Sequence, residues 1–186
     1  MAMLFRDQVH TFEQAGRRPA RAVTQMTTPT LDHASPDHHI RTAVLRYRRD
    51  FGMPAELVDG HAALYTTQSL AAVQMPPRLA WSVRQALRDE PSVPVIGVSK
   101  ANSHWIFLAT PDGRVGVRTL DAVSRRGVAT MPAGSRIVLP VPEIEFDRYW
   151  ACAPSPGPLT LPRRSAVLAA AREVLEMWAS TRPCGY

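Results

Sequence analysis

The sequence predicts an α+β fold, with a mostly antiparallel or mixed sheet packed against helices in a single domain over residues 36–181. Three observations predict it. Short apolar runs of strand length fall at 95–98, 104–109 and 136–140, and in the middle run His104, Ile106 and Leu108 alternate with Trp105, Phe107 and Ala109. Stretches with apolar residues at helical spacing lie on both sides of these runs. Seventeen prolines punctuate the chain and keep its helices short. With 186 residues there is enough chain for one substantial core and too little for two ordinary domains.

Residues 1–35 lack periodicity and are expected to be a flexible N-terminal arm; residues 182–186 are expected to be a tail. The first helix should open at Ser35-Pro36-Asp37. Ser35 suits a side-chain N-cap, Pro36 the first helical position and Asp37 the positive end of the dipole. Ile40, Ala43, Val44 and Tyr47 give it an apolar face, Arg41, Arg46, Arg48 and Arg49 a basic one, and Gly52 with Pro54 ends it. A short strand is expected at 62–66, a helical stretch at 68–74, and a further helix from Pro77 with Leu79, Val83 and Leu87 inward, stopped by Pro91.

Strands follow at 95–98 and 104–109. Pro111-Asp112-Gly113 is expected to turn the second of them into a hairpin continued by Val115 and Val117. Residues 120–124 suggest a helical turn and 136–140 another strand, with irregular chain through Trp150 and the segment APSPGPLTLP. A last helix should span about 163–180, with Val167, Ala171, Val174, Leu175 and Trp178 on one face.

The formal charge is +6, almost all of it arginine, with Lys100 the only lysine. A GC-rich genome accounts for the arginine bias, and the charge permits a polyanionic partner without requiring one. Cys152 and Cys184 stand far apart without metal-ligand spacing, no apolar run is long enough to span a bilayer, and no secretory h-region is visible. The expectation is a cytoplasmic protein with reduced thiols, no membrane role and no cofactor. No P-loop, dinucleotide fingerprint or G-x-S-x-G occurs, and Ser103 next to His104 is no nucleophile–base pair, because neighbours on a strand point to opposite faces.

The central residues VIGVSKANSHWIFLATPDG, followed by AGSRIVLPVP and DRYWACAPSPGPLTLP, resemble the primase–polymerase domain of the archaeo-eukaryotic primase superfamily, in the form found in bacterial and phage bifunctional proteins. The resemblance covers about residues 93–175. In that family a strand ends in a Ser/Gly-rich loop and a histidine opens the next strand, which matches Ser99 and His104. It implies a primase–polymerase-like fold and a phosphate contact for His104. The chain departs from the family where two-metal chemistry needs carboxylates. Asp59 is the nearest acid before His104, His61 stands where a second acid belongs, and Asp121 lies outside the pattern. The implication is a relative without polymerase chemistry.

Ser99, Lys100, His104, Arg136 and Arg148 are therefore the candidates for phosphate or nucleic-acid contact, and Tyr149 with Trp150 for base stacking or a partner contact. Asp32, His33, Asp37, His38 and His39 cluster in sequence without a metal-ligand pattern. Arg163 and Arg164 stand at the start of the last helix, where positive charge is unfavourable. The function expected is non-catalytic nucleic-acid or nucleotide binding, with a regulatory role. The alternatives are a protein-interaction module and an active nucleotidyltransferase.

Overall fold

The alternation in the central run sets the architecture. In the computed structural model, which describes residues 35–90, 92–99, 102–113, 115–144 and 147–181, strand β5 (His104–Ala109) sits in the middle of a five-stranded sheet. The sheet has the order β6-β3-β5-β4-β8, with β3 Ala71–Met75, β4 Val95–Val98, β6 Ala129–Thr130 and β8 Arg148–Cys152. A second sheet, β1 (Glu56–Val58), β2 (His61–Tyr65) and β7 (Arg136–Val138), has the order β1-β2-β7. Every strand pairing in both is antiparallel. The described residues form one compact unit.

Because side chains alternate, β5 feeds two cores. Phe107 and Ala109 join Val73, Met75 and Val95 beneath helices α2 (Pro77–Ala86), α3 (Val117–Ser124) and α4 (Arg164–Ser180). Ile106 and Leu108 join Ala72 and Ile96 against helix α1 (Pro36–Phe51) and the three-stranded sheet, through Ile40, Val44, Leu64 and Ile137. The α+β class and the antiparallel sheet stand as expected.

Helix α1 begins at Pro36 and ends at Gly52, which takes the left-handed conformation (φ 59°) and donates its N–H to the Tyr47 carbonyl. Ser35 caps differently from expectation. Its side chain makes no capping bond, and its carbonyl accepts from His38 N at 2.8 Å and His39 N at 3.3 Å. The expected arm, Lys100, the stop at Pro91 and the C-terminal tail lie outside the described residues, as do Asp32 and His33.

Three expectations are corrected, and one strand is added. The stretch expected to be helical at 68–74 contains a turn and then β3. Thr67 Oγ1 accepts from Ser69 N and Leu70 N, both at 3.1 Å, and the chain then enters the sheet between β5 and β6. Here Ala72 serves one core and Val73 and Met75 the other, so burial on both faces overrides alanine's helical preference. Residues 56–58, unassigned in sequence, form β1, joined to β2 through Asp59 and Gly60 with φ values of 49° and 70°. That pair of positive φ values belongs to a two-residue hairpin turn.

The hairpin expected after Pro111-Asp112-Gly113 does not form, and Val117 instead starts α3. Asp112 accepts from Ser165 N at 3.1 Å and from the Ser165 hydroxyl, capping α4 from a distant part of the chain. Arg164 Nη2 donates to the carbonyls of Asp112 (2.7 Å) and Gly113 (3.1 Å), which gives this arginine a structural reason for its place at a helix start. Finally, the chain expected to be irregular at 148–152 is the edge strand β8, paired to β4.

Candidate nucleic-acid interface

Cross-strand register decides which side chains share a face. His104, Val98 and Arg148 are direct partners across β5, β4 and β8. They therefore line up on one face of the sheet, with His104 and Arg148 about 10 Å apart at two strand spacings. Ser99 follows Val98, exposed, with its N–H on the Asp147 carbonyl at 2.9 Å and its hydroxyl on the same oxygen at 3.3 Å. Arg148 is part-buried, with Nη1 3.7 Å from Asp147 Oδ2. His104 Nδ1 lies 2.7 Å from the Asn102 carbonyl, to which it donates. Of the residues expected to contact phosphate, the fold brings together Ser99, His104 and Arg148.

Arg136 stands apart. It lies on β7 in the three-stranded sheet, with Nη1 2.5 Å from Asp59 Oδ2. That pairing also removes Asp59 from any metal role beside His104, since Asp59 sits in the β1–β2 turn. Among the described residues no group of three or more His, Cys, Asp or Glu side chains is placed to hold a metal ion, and Asp121 is exposed on α3. The residues do not fit a two-metal centre. Asp37 and His38 are exposed at the start of α1, and the rings of His38 and His39 are 6.3 Å apart.

The two expected stacking residues point to opposite faces. Trp150 is half-buried, donates its indole N–H to Tyr47 Oη at 2.9 Å, and meets the Tyr47 ring edge-on at 6.0 Å. Tyr47 Oη in turn donates to the Pro140 carbonyl at 2.5 Å. Burial, against the opposing effect of the Trp150 N–H, pushes the Tyr47 phenol above its ordinary 10.0. Tyr47, Phe51, Trp150, Pro140 and Pro142 wall a cleft of about 220 Å³, so the Trp150 indole is committed to the protein's own packing.

Tyr149 faces the other way and is 44% exposed. Its ring lies over Gly97, where any Cβ would collide with the ring tip. Met75, Trp105, Gly97 and Tyr149 form one register row across β3, β5, β4 and β8. Trp81 of α2 meets Trp105 edge-on, 6.4 Å between centroids, and is itself 56% exposed. Trp81, Trp105 and Tyr149 thus make an open aromatic row on the α2 face, running from the middle strand to the β8 edge. Sequence reasoning missed Trp81 and Trp105. The signal was available: Trp81 falls off the Leu79–Val83 face of its helix, which leaves a large ring in solvent.

No family model matches the chain, and neither a curated protein nor a solved structure is detectably similar to it. No helix among the described residues is long and apolar enough to cross a membrane.

Proposed function

We propose that this chain is a cytoplasmic, non-catalytic nucleic-acid-binding protein that engages a single strand at the β8 end of its five-stranded sheet. The observation that carries the reading is the open row of Trp81, Trp105 and Tyr149. Aromatic rings on a sheet surface suit unpaired bases, because every base has a face to stack whatever its sequence. His104 and Arg148 stand on the neighbouring row and point to the opposite face of the sheet, so phosphate contacts beside these rings fall to other groups. The distant primase–polymerase likeness agrees with this reading and assigns no chemistry to it, since the carboxylates that would hold catalytic metals are not assembled among the described residues.

A protein-binding surface is the second reading. Met177 is 54% exposed beside Trp178, over which Arg78 lies at 5.3 Å from the ring centroid.

Fluorescence anisotropy with labelled single- and double-stranded DNA and RNA, at low and moderate salt, tests the choice. Single strands should bind more tightly than duplex. Trp81→Ala and Tyr149→Ala should each weaken binding by roughly 5- to 150-fold, the worth of one stacked base. Absence of binding to any of the four at low salt sinks the nucleic-acid reading in favour of a protein partner.

A further inference from the structure

Helix α2 carries Trp81 and Arg84 at i and i+3, and Arg88 lies in the turn just past its C-terminal end, so an indole is followed along the chain by two guanidinium groups. On the edge strand β8, Tyr149 and Cys152 stand three residues apart. Arg84 and Arg88 line a cleft of about 190 Å³ together with Cys152 and Ser155, and Ser92 and Glu90 complete its polar lining. Between the aromatic row and this cleft β8 offers only the small side chain of Ala151. Trp81 meets Trp105 at one end of this span, and Arg84, Arg88 and Cys152 line the cleft at the other, with Tyr149 to Cys152 covering about 10 Å at the strand rise.

The arginines are poorly matched within the protein. Arg84 Nε is buried with no hydrogen-bond acceptor, and Arg88 Nε comes no nearer than 3.8 Å to Asp89, a pair that is almost wholly solvated. Two guanidinium groups lining one cleft repel each other unless an anion lies between or beside them. Ser92 and Ser155 add hydroxyl donors to the same hollow, while Glu90 is the one acid lining it.

We propose that the gap between α2 and β8 is a directional track for a single strand. Bases stack on Trp81, Trp105 and Tyr149, and the phosphates that follow them sit on Arg84 and Arg88, with Ser92 and Ser155 donating to their oxygens. At the phosphate spacing of a stacked strand, about 3.4 Å, the track holds about three nucleotides. This rests on the nucleic-acid reading above and specifies which part of the surface takes bases and which takes backbone.

The test is a salt titration of a fluorescein-labelled oligothymidylate against the wild-type chain, Trp81→Ala and the double variant Arg84→Gln/Arg88→Gln. Two lost phosphate contacts should flatten the slope of log K against log salt by about 1.4. Trp81→Ala should weaken binding and leave the slope alone. Wild-type binding with an unchanged slope in the double variant overturns the track and spares the nucleic-acid reading; no wild-type binding overturns both.

Cys152 gives an independent readout that needs no arginine substitution. In a Cys184→Ser chain, saturating oligothymidylate should slow alkylation of Cys152 by a small maleimide. An unaltered alkylation rate while the strand is bound overturns the track.

Discussion

The two faces of the five-stranded sheet use the same kinds of side chain for opposite ends. On the face toward α1, Trp150 and Tyr47 close a chain of hydrogen bonds that ends on the Pro140 carbonyl, with Tyr47 buried and Trp150 half-buried. On the face toward α2, Trp81 and Tyr149 keep much of their surface exposed, and the Tyr149 ring rests on a glycine. The first arrangement satisfies every polar group it buries, as a low-dielectric interior requires. The second leaves aromatic area uncovered, which costs stability and is retained where a surface meets something. An aromatic residue beside a basic one, as in Arg148-Tyr149-Trp150, therefore says nothing of role until the register assigns each ring a face.

The largest expected effect asks whether the two faces form one cooperative body. Phe107 and Leu108 are adjacent on β5, fully buried, and point into different cores. Phe107→Ala should cost about 3–5 kcal/mol and Leu108→Ala about 2–5 kcal/mol. Each should lower a single thermal transition monitored by circular dichroism. A transition that splits in two would mean the cores melt separately.

Next in size is Tyr47→Phe, which strands the Trp150 N–H and the Pro140 carbonyl and should cost about 1–3 kcal/mol in urea unfolding, with strand binding unaffected. It should also change the alkaline limb. Because burial raises the Tyr47 pKa, the folded chain holds that proton more tightly than the unfolded one. The associated stability is complete below the ordinary 10.0 and is lost as pH rises above it. The variant should lose less stability than the wild type over that window.

Gly97→Ala sharpens the contrast from the other face. The new methyl displaces only the tip of an exposed ring, so stability should move by less than about 1 kcal/mol. Single-strand affinity should nevertheless fall roughly as far as in Tyr149→Ala, because the ring leaves the row. Equal affinity in Gly97→Ala and wild type would show that the position of Tyr149 does not matter.

The smallest effect is expected at Arg136→Gln. Its pair with Asp59 is largely solvated and should be worth no more than about 1 kcal/mol. Its place on the other sheet predicts unchanged strand affinity in the same titration.

The sequence made the fold class legible where its patterns were strong. The alternation around Phe107 and the four-residue spacing of Leu79, Val83 and Leu87 both describe what formed. It misled where one residue type serves two periods. Ala71 and Ala72 suit a helix locally, and only burial between two neighbouring strands makes them part of β3. Asp59-Gly60 was a readable hairpin signal, obscured by weighing Asp59 as an acid. Pro111-Asp112-Gly113 carried a sound turn signal, but its partner is the start of α4, more than fifty positions later, and local chemistry cannot announce so distant a contact.

For the candidate site, the sequence indicated Ser99, His104 and Arg148, which register brings to one end of the sheet. It gave no means of separating Tyr149 from Trp150, because their difference lies in a neighbour's missing Cβ and a hydroxyl contributed from α1.

The bonds joining the end of β5 to the start of α4 have a consequence for the order of assembly. Thr110 N donates to the Pro162 carbonyl at 2.8 Å and Arg164 N to the Thr110 carbonyl at 2.9 Å, while Asp112 reaches Ser165. These contacts close an excursion of about fifty residues that leaves and re-enters the fold at one point, and such closure is favourable only once enough of the intervening chain has condensed. The clasp is thus a late event in folding. The amide protons of Thr110 and Arg164 should gain protection from solvent exchange after those of β5 itself, making this seam the natural place to time the last step.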